Sequence, residues 1–227
     1  MTDYLLPALW KRALTPLQEG RGVLLWGEPV RLVAAAAAAW GVARGAEVLV
    51  VDAANRVDPY QLGRRARGYG LAPAYVLARV RVARAFTSHQ LVRLLQEILP
   101  AHLKPGALVV ILGPVSLFYD EQVPLSERRR LFQDLTRLLA GIKSQAALLL
   151  LQPRLPRAAA NRHFGRLLAP VIDYFVEMGR REENQDEPSS RAAAALPALL
   201  RAVGKGAAHP TRSRLPLGDL YNERIHT

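Results

Sequence analysis

Short, nearly continuous apolar runs alternate along this chain with longer stretches whose apolar residues recur at helical spacing. The runs fall at 23–26, 47–52, 80–82, 108–112, 147–151 and 171–177. Continuous apolar character over so few residues predicts strands buried on both faces. The intervening stretches predict helices. The first, 32–42, is rich in alanine, and 61–69 is basic. The stretch 88–99 starts at Ser88 as a cap and sets Leu91, Leu94, Leu95 and Ile98 on one face. The stretch 126–140 starts at Ser126 and carries Leu131, Leu135, Leu138 and Leu139. This alternation predicts an α/β domain with a doubly wound, mainly parallel sheet flanked by helices.

The ends of the chain break the pattern and set the expected boundaries. Residues 1–21 predict a short helical appendage, with Leu5, Leu6, Leu9 and Leu14 forming a stripe beside Trp10. The core domain is expected over 22–178. An acidic linker and short helix follow at 179–206, where Glu182, Glu183, Asp186 and Glu187 precede Pro188 and two serines. Residues 207–227 predict a strand-like segment and a tail. No internal repeat is evident.

Composition narrows the function classes. With 227 residues the chain supports one full core. No apolar run approaches the ~18 residues of a membrane span. The amino terminus carries Asp3 and lacks the charged-then-apolar leader of a secreted protein. There is no cysteine, which excludes disulfides, thiolate chemistry and cysteine-ligated zinc. A cytoplasmic protein is expected. The net charge of +12 creates a field that favours polyanions such as DNA, RNA or anionic lipid. An Ala/Arg/Leu-rich composition produces the same excess, so charge alone selects no partner.

The stretch 23–51 and the Asp52 that follows it read as the opening βαβ of a nucleotide-binding domain. After the first strand such domains carry G-x-x-x-x-G-K-[ST], whose backbone N–H groups and Lys cradle phosphates while the hydroxyl helps hold magnesium. Here the turn reads Gly27-Glu28-Pro29-Val30-Arg31 and leads directly into helix. Only the first glycine is present.

Downstream, Asp52-Ala53-Ala54-Asn55-Arg56-Val57-Asp58-Pro59 is followed by Ala83-Arg84-Ala85-Phe86-Thr87-Ser88-His89-Gln90. In type and order these segments resemble signatures of the RecA/RadA recombinase superfamily, its archaeal and eukaryotic branch above all. The stretch LVVILGPVSLFYDEQ is similar to a Walker B strand and its loop. ALLLLQPR is similar to the strand that ends in a nucleotide-sensing Gln and leads into a DNA-contacting loop. The resemblance spans 22–177, about two-thirds of the chain.

The departures from that family are as informative as the matches. The resemblance implies that the base activating the attacking water falls on Ala54. It also implies that the Walker B Asp falls on Leu112 or Gly113, and the sensor on Gln152. Phosphoryl transfer depends on positioned charge, and the phosphate-loop Lys, the magnesium ligands and the base are all missing. Gly27, Glu28, Arg31, Asp52, Ala54, Gly113 and Gln152 are therefore expected to form a degenerate nucleotide site. Glu28 sets a negative charge where a phosphate would sit, and Arg31 partly offsets it at the helix start. No catalytic residue, metal site or cofactor is expected, and ATP and magnesium are expected not to bind.

Two basic segments are the candidates for DNA contact. Arg154, Arg157, Arg162 and Arg166 surround His163 and Phe164 at the position of the family's DNA-contacting loop, a mixture of cations and one ring that suits a single strand. Arg128, Arg129 and Arg130 stand at a helix start, where cations oppose the helix dipole unless a polyanion or acidic partner meets them. The leading expectation is a non-catalytic RecA/RadA-like paralogue that binds DNA, single strands above all, or a recombinase or other repair protein. It would assist recombination or repair, as a hetero-oligomer rather than a self-filament and without a membrane. The alternatives are a weak ATPase with a rearranged site and an adaptor that never touches nucleic acid.

Overall fold

A computed structural model describes residues 5–155 and 162–178. The elements are α1 (Leu5–Gln18), β1 (Gly22–Gly27), α2 (Val30–Ala43), β2 (Val48–Asp52), α3 (Pro59–Gly68), α4 (Pro73–Leu77) and β3 (Val80–Arg84), then α5 (Ser88–Arg93), β4 (Leu108–Leu112), α6 (Leu125–Lys143), β5 (Ala147–Gln152) and β6 (Tyr174–Met178). The strands form one six-stranded sheet in the order β3-β2-β4-β5-β1-β6. Every pairing is parallel. The doubly wound α/β class expected from the alternation is the observed one.

Strand side chains alternate between two cores, because successive residues point to opposite faces. On one face Leu25, Val50, Val110 and Leu149 pack against α1, α2, α3 and α4. On the other, Leu24, Val51, Ile111 and Leu150 pack against α5, α6 and the 3₁₀ segment Arg162–Val171. The alanine run of α2 is buried throughout. Its small side chains let the helix lie close to the sheet, and a Cβ on Gly41 would stand 2.8 Å from a Val48 methyl. Larger volumes fill the opposite face, where Phe118, Phe132 and Phe164 are fully buried. Burial of each stabilises the fold by about 1.5–3 kcal/mol.

Several local expectations are corrected. The helix after β3 is capped by Thr87, whose side chain accepts from the Gln90 amide, and Ser88 is buried inside the first turn. The helix continues past Arg93 as a π-turn, Leu94–Ile98, and a 3₁₀ turn, Leu99–His102. The wider π-turn rotates the apolar face. Leu99 enters the core in place of Ile98, which is 48% exposed. The α6 helix begins at Leu125, one residue before Ser126. The last strand starts at Tyr174, and Val171 closes the 3₁₀ segment ahead of it. The short helix α4 had no apolar periodicity long enough to signal it. The expected linker and carboxy-terminal strand at 179–227 lie outside the described residues, as do the side chains before residue 12.

Candidate functional site: a filled cleft with a basic rim

The strand order sets the carboxy-terminal ends of β2, β4, β5 and β1 side by side. Asp52 pairs with Leu112, Leu112 with Leu151, and Trp26 with Gln152. Residues far apart in sequence thus share one edge of the sheet, the edge at which open α/β folds bind ligands. The degenerate set is brought together, and each member's surroundings can be read.

Between β1 and α2 the connection consists of Glu28 and Pro29 alone. A phosphate cradle needs several consecutive N–H groups curved around an anion. Pro29 has none to offer. Gly27 has φ +123° because the chain turns against β6, where a Cβ would lie 2.2 Å from the Met178 carbonyl oxygen. The Glu28 carboxylate accepts from the Val30 N–H at 3.3 Å, so the first amide of α2 meets the protein's own anion. Arg31 is exposed on the first turn of α2.

Ala54 and Gly113 fill the opposite wall. Gly113 has φ +69°, and a Cβ there would meet the Ala54 Cβ at 2.7 Å and the Ser116 hydroxyl oxygen at 2.8 Å. Leu112, the other position expected for a Walker B acid, is fully buried on the α2 face. Asp52 is buried and turned toward its own loop. Its carboxylate accepts from the amides of Ala54, Arg56 and Val57 at 3.3, 3.0 and 2.9 Å. Arg84 approaches it at 3.5 Å. Asp52 therefore fixes the β2–α3 loop and links it to β3.

Gln152 is fully buried with both ends of its amide engaged. Its oxygen accepts from the Val115 N–H at 3.1 Å, while its nitrogen donates to the Ser116 hydroxyl at 3.1 Å and the Pro153 carbonyl at 2.8 Å. The side chain ties β5 to the turn after β4.

The basic rim differs from its expected form. Arg128 is buried, and its Nη1 donates to the Phe118 carbonyl at 3.3 Å. Of the arginine triplet only Arg129 and Arg130 face solvent. Arg154 and Arg166 are exposed. Arg157 lies outside the described residues, as do the side chains of Arg162 and His163. Phe164, expected to stack on a base, is instead buried between Phe118, Phe132 and Tyr119 at centroid separations of 5.9, 5.1 and 5.8 Å. The rim therefore offers charge without that ring.

The motif that carries the strongest resemblance has a structural account. Ala85 is buried, Thr87 caps α5, and the Gln90 side chain accepts from the Phe86 amide at 2.8 Å, a reciprocal cap. His89 reaches Glu127 of α6 at 2.9 Å. Phe86 itself is 65% exposed beside the edge strand β3.

At the opposite, amino-terminal edge a cavity of about 330 Å³ lies among Trp40, Arg44, Glu47, Lys104 and Leu108. Lys104 Nζ sits 2.6 Å from Glu47, and that hydrogen bond holds the Glu47 carboxyl below its ordinary value. Among the described residues no group of three or more His, Asp or Glu is placed to hold a metal ion, and no helix is long and apolar enough to cross a membrane.

One surface escaped the sequence reading. Tyr60, Arg64 and Arg67 share the outer face of α3 while Leu62, Gly63 and Ala66 are buried beneath them. The 60/64/67 spacing was the available signal, masked because Arg64, Arg65 and Arg67 taken alone do not share a face. No family model matches this chain, and no curated protein matches it.

Proposed function

We propose that this chain is a non-catalytic, RecA/RadA-like accessory protein that binds single-stranded DNA, alone or together with a recombinase or other repair protein. The observation that carries the proposal is the cleft filled from within. The Glu28 carboxylate caps the helix that would receive phosphate, Gly113 abuts Ala54 where the metal and water ligands would stand, and Gln152 spends its amide on the chain itself. This arrangement favours a protein that does no phosphoryl transfer, since that chemistry rests on positioned charge. What remains at that edge is an exposed set of cations, Arg129, Arg130, Arg154 and Arg166. Cations tracking phosphates provide affinity without sequence preference.

The test is binding of a labelled oligonucleotide as a function of salt, beside a titration with fluorescent ATP and magnesium. The proposal expects DNA affinity to fall steeply between ~50 and ~200 mM salt, and ATP to show no saturable binding at micromolar concentration. Saturable ATP binding would favour the rearranged ATPase instead. DNA affinity independent of salt would sink the DNA reading.

A specific feature also favours the adaptor reading. The strand β3 stands at the edge of the sheet, with Val82 and Phe86 exposed by 45% and 65%. An open strand edge with exposed apolar side chains accepts an extended partner segment. Capture of a repair protein that survives nuclease treatment and is lost on Phe86→Glu would support this reading.

A further inference from the structure

The loop at the rim supplies charge but buries its ring, which leaves open where bases would stack. We infer that the outer face of α3, continued by α4, is a second contact surface for single-stranded nucleic acid. This inference rests on the DNA-binding reading above and assigns it a separate place on the molecule.

Helix α3 is amphipathic in an unusual sense. Its inner face packs Leu62 and Ala66 onto α2, and Gly63 approaches Pro73 of α4, with a built Cβ at 3.5 Å. Its outer face presents Tyr60, Arg64 and Arg67 at i, i+4 and i+7, one stripe on a helix. Tyr60 is 86% exposed, the highest value of any large apolar side chain described. Asp58 is the single acid between residues 53 and 93. Its carboxylate is occupied in accepting from the Tyr60 and Gln61 amides at the start of the helix. Arg56, Arg64 and Arg67 have no acidic partner among the described residues. On α4, Tyr75 is 42% exposed with the Arg79 guanidinium 3.7 Å from its ring centroid.

A solvated helix normally mixes both charge signs, because pairs at i and i+4 stabilise it and like charges there repel. Arg64 and Arg67, with Arg56 just ahead of the helix, forgo that compensation. A fully exposed tyrosine stands in the same stripe. Uncompensated guanidinium groups suit phosphates, and a flat exposed ring suits a base freed from its partner. The stripe itself consists of one ring and two guanidinium groups, and the neighbouring Asp58 carboxylate is engaged in the helix cap. The expected ligand is therefore single-stranded and of any sequence.

The experiment uses the full chain and a fluorescein-labelled oligo-dT of about 30 nucleotides, followed by anisotropy across a salt series. The variants are Arg64→Glu/Arg67→Glu, Tyr60→Ala and, for the rim, Arg154→Glu/Arg166→Glu. All of the substituted side chains are exposed. The α3 charge variant is expected to weaken binding at least tenfold and to lower the salt slope by about 1.4, two contacts at ~0.7 each on a single strand. Tyr60→Ala is expected to weaken binding about tenfold with the slope unchanged. If the rim variant loses binding while both α3 variants match the parent, this inference fails and the DNA reading stands. If the parent binds no strand at all, both fail. Competition by poly-glutamate as effective as by oligo-dT would overturn the nucleic-acid assignment in favour of an acidic protein.

Discussion

A Cβ placed on Gly113 would lie 2.7 Å from the Cβ of Ala54, well inside any contact that real side chains make. The two residues close one wall at the carboxy-terminal edge of the sheet. A side chain added at Gly113 therefore requires the Ala54 wall to move.

Gly113→Asp tests this directly. The new side chain must adopt φ +69° and displace both Ala54 and the Ser116 hydroxyl. The expected cost is about 2–4 kcal/mol, combining overpacking with a left-handed backbone for a non-glycine residue. Urea unfolding should show a lower midpoint with an unchanged slope, and magnesium-dependent ATP hydrolysis should remain at background. A stable variant that hydrolyses ATP would mean that the cleft is open.

Removing the Gln152 amide should be costly, because the side chain ties β5 to the turn after β4. In Gln152→Leu the buried Val115 N–H loses its acceptor and the Pro153 carbonyl loses its donor. Leaving such groups unsatisfied costs about 2–4 kcal/mol in total. The test is chemical denaturation together with DNA affinity of the folded fraction. Unaltered stability would argue that Gln152 is a free sensor.

Arg128 should behave oppositely to its neighbours. It is buried, its Nε has no hydrogen-bond partner among the described residues, and its Nη1 donates to the Phe118 carbonyl. Replacing a poorly compensated buried cation with an apolar chain of similar length is neutral or stabilising. Arg128→Met is expected to raise stability by about 1 kcal/mol and to leave DNA affinity unchanged, whereas Arg129→Glu/Arg130→Glu lowers affinity at unchanged stability. A loss of DNA binding in Arg128→Met would return Arg128 to the interface.

The pair Glu47–Lys104 predicts a pH dependence. The Glu47 carboxyl is held below its ordinary value, chiefly by the hydrogen bond from Lys104. A depressed carboxylate contributes stability above its unfolded pKa of about 4.3 and loses that contribution as pH falls through the folded value. Glu47→Gln should therefore lower Tm at pH 7 by no more than ~3 °C, since Lys104 is exposed and Glu47 is only half-buried. The difference should vanish near pH 3. A difference that persists there would assign the effect to packing rather than charge.

The legible part of the site was the part written in local chemistry. The missing second glycine, lysine and hydroxyl after β1 are visible in Gly27-Glu28-Pro29-Val30-Arg31. The cap of the helix after β3 was misplaced by one residue, at Ser88 rather than Thr87, because both hydroxyls suit the role and the backbone geometry decides between them. Arg128 and Phe164 were misjudged for a shared reason. Each stands in a basic stretch that reads as solvated, and each is drawn inward by neighbours distant in sequence, Phe118 in both cases. Residue type and spacing do not report such contacts.

By itself the sequence determined the strands and most helices, because burial on two faces demands continuous apolar runs and burial on one demands helical spacing. It also determined that the turn after β1 carries no second glycine, no lysine and no hydroxyl. Only the tertiary structure decided what packs around that turn. Strand order brought Ala54, Gly113 and Gln152 to one edge, where Gly113 packs against Ala54 and the Gln152 amide binds Val115, Ser116 and Pro153. The same three-dimensional packing chose which arginines stayed in water, because burial depends on what the fold sets opposite a side chain and not on which residues precede it.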